Sequence, residues 1–233
     1  MMAWVSRICL ETHLSFLDLE KITGCENTVI LAILETTELR EWKATSQEAG
    51  NFNVADLVNG AIKIERSLKD ILEHCTELLE QATAFASLTR KDQMTDPMLV
   101  AGVCRTSQTG AITRIFACAA LVYLNVVVYG PLSDHPKIHE TVSQTIAAFK
   151  GLRDGAVLGM LAWPLCVSGC MASGWQMEFF RQLSLDFDRA SDLRSGNLKR
   201  SFAIVEECWQ LRNDGIETPD WQQAMYGKWI LLI

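Results

Sequence analysis

The chain has no pair of cysteines at CxxC spacing, although it carries eight in 233 residues. Zinc ribbons and dithiol redox motifs therefore find no support. It lacks a Lys/Arg-rich run, and the small cluster Arg194, Lys199 and Arg200 reads as a solvated helix start. The formal net charge is −7, whereas a general nucleic-acid surface would be basic. No G-x-S-x-G elbow, P-loop or G-x-G-x-x-G occurs, so no cofactor or phosphate site is indicated. Met1 to Leu10 holds one positive charge and no long apolar run, which is not a secretory signal pattern. Proline is scarce, with five residues, and each one therefore marks a boundary.

What is present is apolar and helical. Hydrophobic residues make up 49% and charged residues 21%, the balance of a globular chain with a sizeable core. Periodicity near 3.6 predicts helices over about 28–46, 53–79, 97–129, 134–150, 154–171, 175–190, 196–213 and from 219 to the end. Residues 81–95 read either as an extension of the second helix or as a loop. Asn53 is placed to cap a helix, and Asp96-Pro97 to start one. Gly50, Gly130-Pro131 and Gly174 break the pattern. Val126-Val127-Val128-Tyr129 favours a strand locally but follows too long a helical phase to stand alone. The reading is all-α: one irregular domain over 1–233 of about seven to nine helices, with one long central helix. Ile115 to Val128 lacks charge and is expected to be buried.

Leu161 to Cys170 is the most unusual stretch. Pro164 sits where an apolar helix would have its interior, at a cost of about 3 kcal/mol if it truly lay there. Trp163-Pro164 should therefore mark a helix start or a kink. Gly155 to Met177 is free of charge and long enough to span a bilayer. Its glycines, Pro164 and serines instead favour a buried, broken helix pair, with no membrane partner. Trp163 is expected at the centre of the domain, packed against the long helix.

Several separated pieces, in order, carry a family likeness. They are Ile22-Thr23-Gly24-Cys25 with Leu31 to Glu35 and Trp42-Lys43; Leu57-Val58 with Ala61 to Leu68; and Ala120 to Leu124 with Val127 to Gly130. Leu161 to Cys170 follows, then Val205 to Trp209 with Trp221 and Met225. The set resembles the regulatory domain of fungus-specific transcription factors, the acriflavine-sensitivity-control type of zinc binuclear cluster regulators. Members of that family usually begin with a six-cysteine zinc module that reads DNA. Cys9 and Cys25 cannot rebuild it, so the chain is read as lacking the N-terminal DNA-binding module. The resemblance implies a regulatory and interaction domain acting through protein partners or self-association, without specific DNA binding of its own. It would reside in the nucleus. The rival reading is a stand-alone cyclase- or isomerase-like enzyme of secondary metabolism that reuses the same fold, cytoplasmic and cofactor-independent.

Candidate chemistry is sparse, and no catalytic residue or metal ligand set is assigned. His135 and His139 stand four apart beside two carboxylates, but Pro136 disfavours a helical His135; the group reads as a polar helix cap. His13 and His74 read as packed histidines. Cys104 beside Arg105 lacks a neighbouring base, and Cys166 with Cys170 reads as core packing. Trp163, Cys166, Cys170, Trp175, Met177 and Tyr123 are the candidates for an apolar ligand pocket between helices, the usual place for one in a bundle. Core filling is the competing reading of the same residues.

Overall fold

Asn53 begins the longest helix as its position suggests: its Oδ1 accepts the N–H of Ala55 at 3.0 Å, satisfying one of the first-turn donors. A computed structural model describes residues 19–89, 97–152, 155–190 and 196–215. Among them there are α1 (Leu19–Thr23), α2 (Asn27–Glu48), α3 (Val54–Thr89), α4 (Pro97–Tyr129) and α5 (Pro136–Lys150). A 3-10 helix (Gly155–Leu161), α6 (Ala162–Cys170), α7 (Trp175–Ala190) and α8 (Gly196–Asn213) complete the described chain. No strand occurs among the described residues. The all-α reading holds, and Val126 to Tyr129 are helical because tertiary burial outweighs their local β preference. The helix expected from Pro219 onward lies outside the described residues.

The hub is α4. Apolar residues surround its C-terminal half, so it is covered on several sides: α3, α5, α2 and α6 all pack on it. Ile115, Ala117, Ala119, Ala120 and Val122 have no exposed surface. The segment Thr106–Tyr129 is the one described helix long and apolar enough to cross a membrane, but 78% of its most apolar 18 residues are buried within the fold. The apolar faces of the shorter helices meet this hub. In α5, for example, Ile138, Val142, Ile146 and Phe149 are all buried.

Three contacts set α2 alongside α4 and parallel to it. The Glu26 N–H donates to Thr113 Oγ1 at 3.1 Å, the Tyr123 hydroxyl contacts Thr37 Oγ1 at 3.3 Å, and Lys43 Nζ donates to the Val127 carbonyl at 2.6 Å. The last bond repairs a local defect. The Val127 carbonyl would normally accept from the N–H four residues on, but that residue is Pro131, which has none. Gly130 (φ +87°) ends the helix in the left-handed region, with its N–H on the Val126 carbonyl at 2.8 Å. Lys43 supplies the missing donor, and its charge suits the negative end of the helix dipole. Partial burial holds its pKa below the usual lysine value.

Of the two readings of residues 81–95, the helical extension holds as far as the described residues go, and α3 runs to Thr89. Leu78, Ala82 and Phe85 continue its apolar face and line a shared groove with Gly102 and Val103 of α4. The apolar segment 154–171 is not one α-helix. It is a 3-10 helix that changes to α at Ala162. The switch puts Pro164 third in α6, within the first turn, where its missing N–H has no intrahelical partner to lose.

Candidate functional site

Tyr123 and Trp163 are brought together. Trp163, second in α6, stacks on Phe116 at 5.9 Å between centroids and 9° between planes. It meets Tyr123 edge-on at 6.4 Å. Both partners sit on α4, as anticipated, but Trp163 itself is only half-buried, because its place at the start of α6 leaves part of the indole at the rim. The Arg40 guanidinium lies over the other ring of the group, 5.9 Å from the Tyr123 centroid.

Cys166 and Cys170 share one face of α6 and have no exposed surface. They face α8, where the structure adds Cys208. Burial, next to the Cys166 and Cys208 thiols, pushes the Cys170 thiol pKa well up. The Cys208 Sγ also lies 3.6 Å from the Cys170 carbonyl. Next to this group, the last carbonyls of α6 receive donors from α8. Trp209 Nε1 donates to the Gly169 carbonyl at 2.9 Å. Arg212 Nη1 donates to the Ala172 carbonyl at 2.9 Å, and its Nη2 donates to the Cys170 carbonyl. A short helix thus ends in its neighbour's side chains, with a guanidinium at its negative pole. The Arg181 guanidinium of α7 covers the outer face of the Trp209 ring at 5.0 Å.

Trp175 and Met177 lie apart from both groups, on α7. Trp175 is 54% exposed, flanked by the edge of His139 at 6.4 Å and by Lys150 Nζ at 5.9 Å. Met177 is half-buried against the core. Between them, Gln176 is fully buried. Its Nε2 donates to the His139 carbonyl and to Ser143 Oγ, each at 2.8 Å, while its Oε1 accepts the Ser173 N–H at 3.2 Å. This side chain pins α7 to α5. The six pocket candidates therefore occupy three places: an aromatic group on α4, a thiol group against α8, and the outer start of α7.

Open clefts among the described residues lie elsewhere. One of about 480 Å³ follows Ala203, Glu206, Gln210 and Leu211 on α8. One of about 470 Å³ separates the distal parts of α3 and α4. One of about 640 Å³ is lined by Glu20, Glu26, Asn27, Thr28, Leu78, Thr106 and Thr109. None of the six candidates lines any of them.

His135 sits at the N-cap of α5 with extended backbone, as its following proline requires. Its ring stacks on Tyr129 at 4.2 Å, so both histidines of the pair are engaged by aromatic rings. Among the described residues, no group of three or more His, Cys, Asp or Glu side chains is placed to hold a metal ion. Burial also raises the thiol pKa of Cys75 to about 11 and of Cys118 to about 12, the opposite of an activated nucleophile. The side chains of Cys104 and Arg105, together with His13, Cys9, Trp221 and Met225, lie outside the described residues.

Gln176, Arg212 and Lys43 were not singled out from the sequence as polar anchors. Only Lys43 had a local signal: Pro131 orphans a specific carbonyl on the neighbouring helix. The partners of Gln176 and Arg212 on or just after neighbouring helices lie 33 to 42 residues away, which no periodicity reveals.

The chain is 30% identical over 216 residues to transcription factor dibT of Pestalotiopsis microspora, covering 89% of this chain and 32% of that protein. It is 32% identical over 209 residues to the ustiloxin B cluster transcription factor ustR of Aspergillus flavus, covering 88% and 32%. Against the trichothecene biosynthesis transcription regulator of Trichoderma arundinaceum it is 29% identical over 214 residues, covering 91% and 44%. The chain thus spans about a third to under half the length of these relatives. No solved structure matches it. The fungal specific transcription factor domain family matches residues 4–233, and the chain belongs to that family.

Proposed function

We propose that this chain serves as the regulatory and interaction domain of a fungal transcription regulator, controlling genes of secondary metabolism. The observation that carries the reading is the family match over residues 4–233. The printed names of two relatives, regulators of ustiloxin B and trichothecene biosynthesis, support the choice of target genes. The net charge of −7 fits a domain that works through protein contacts or self-association in the nucleus and leaves specific DNA recognition to another module. A small apolar effector would act where aromatic surface is both grouped and reachable, at Trp163 beside Tyr123 and Phe116. The enzyme reading gains nothing from the relatives, which are named as transcription factors and regulators.

The test is a fusion of this chain to a heterologous DNA-binding module, read out on a matching reporter in a filamentous fungus. The expected result is a several-fold change in reporter output relative to the DNA-binding module alone. The same chain without the module should give no sequence-dependent shift of duplex DNA. A fusion that leaves the reporter unchanged in the presence of extracts from producing and non-producing cultures sinks the proposal.

A further inference from the structure

The three thiols between α6 and α8 do more than fill space. We propose that Cys170 and Cys208 form a peroxide-sensitive pair whose disulfide locks α8 onto α6. The two side chains face each other across the closest approach of these helices. At Gly169, next to Cys170, an added Cβ would lie 2.7 Å from Cγ2 of Val205, which is one turn before Cys208. The Cys208 Sγ reaches to 3.6 Å from the Cys170 carbonyl, and both cysteines are fully buried between the two helices. Cys166 is the poorer partner for Cys170. Side chains four apart on one helix hold their Cβ atoms about 5–6 Å apart, beyond the roughly 3.5–4.5 Å that a disulfide needs.

Both thiols are sealed in the closed fold, with no exposed surface. Access comes through α8, which packs chiefly against α6 and secondarily against the 3-10 helix. Oxidation therefore requires α8 to open as a unit while the α4 hub stays folded. On opening, Cys208 keeps its own-helix neighbour Arg212, whose Nη2 lies 4.0 Å from the Sγ and favours the thiolate.

The Cys208 thiolate attacks one oxygen of hydrogen peroxide. The S–O bond forms as the O–O bond breaks, and the released hydroxide takes a proton to become water. When α8 closes, the Cys170 thiol loses its proton and attacks the sulfenic sulfur. The S–S bond forms, the S–O bond breaks, and hydroxide leaves as a second water. The two thiols are together oxidised by two electrons, and peroxide is reduced to two waters.

The experiment treats the purified chain with hydrogen peroxide, blocks remaining thiols with iodoacetamide, and maps tryptic peptides by mass spectrometry. The expected product joins the peptide 201–212, with Cys208 as its one cysteine, to the peptide 154–181, which contains Cys166 and Cys170. The product should persist in Cys166→Ser and fall at least tenfold in Cys170→Ser and in Cys208→Ser. Dithiothreitol should reverse it. In the oxidised chain, alkylation of Cys166 should slow at least tenfold, because α8 can no longer leave. A joined peptide that survives in Cys170→Ser overturns the pairing, as does oxidation to sulfinic acids without any joined peptide. Unchanged Cys166 alkylation after the disulfide has formed overturns the lock.

Discussion

Gly169→Ala places a methyl group 2.7 Å from Cγ2 and 3.1 Å from Cγ1 of Val205. Carbon atoms rest about 3.5–4.0 Å apart, so α6 and α8 must separate by several tenths of an ångström, or Val205 must turn. Val205 is 1% exposed, and a β-branched residue on a helix has one strongly preferred rotamer. Turning is therefore costly, and the helices must move. Overpacking of this kind costs about 1–3 kcal/mol. Alanine offers up to about 1 kcal/mol of helix propensity over glycine, less here because Gly169 is the last residue but one of α6. The net expectation is a loss of about 1–2 kcal/mol. For a chain of this size, that lowers Tm by roughly 2–8 °C. The assay is thermal and urea unfolding followed by circular dichroism, on the parent, Gly169→Ala, Val205→Ala and the double variant. Val205→Ala alone should cost about 2 kcal/mol through its cavity. In that background the added methyl has room, so Gly169→Ala should cost under about 0.5 kcal/mol. The coupling between the two sites should thus reach about 1 kcal/mol. A Gly169→Ala chain that melts with the parent, or additive costs in the double variant, would refute the claim that this crossing is set by the missing Cβ.

Trp209→Phe keeps most of the buried ring but leaves the Gly169 carbonyl without its donor; a loss of about 1–3 kcal/mol is expected in the same unfolding assay. Lys43→Met removes the partner of the Val127 carbonyl and should cost about 1 kcal/mol, whereas Lys43→Arg should recover part of it. Stability should fall as pH rises above 9.0, the ordinary thiol value. From there to about 11–12 the folded chain keeps protons on Cys75 and Cys118 that the unfolded chain releases. The slope is up to about 1.4 kcal/mol per pH unit for each such thiol, offset in part by Lys43, whose lowered pKa acts with the opposite sign. A flat urea midpoint from pH 8 to 11 would contradict this. Trp175→Ala should change stability by less than about 0.5 kcal/mol, since more than half of that side chain is already in solvent; a large drop in melting temperature would show that its ring is structural.

The helices and their ends are local properties, and the sequence alone determined them well. A capping side chain at Asn53, left-handed glycines at Gly50 and Gly130, and a proline at the first residue of α4 act within a turn of where they stand. The uncharged run in α4 likewise announced a helix covered on all sides, because no other environment suits it. Where the sequence reading stayed open or failed, the deciding partner was distant. It left 81–95 between helix and loop, and α3 continues to Thr89 where α4 lies beside Ala82 and Phe85. Of a helix start or a kink at Trp163-Pro164 it is the start that forms, but 154–171 divides into a 3-10 helix and an α-helix that periodicity had joined. The six pocket candidates shared polarity and neighbourhood in sequence, yet tertiary structure sends them to three places. Their destinations depend on which helix each faces, and that choice rests on contacts such as Trp209 to Gly169 and Gln176 to His139, 40 and 37 residues apart. Periodicity determines which side of a helix is apolar; only packing decides what that side meets.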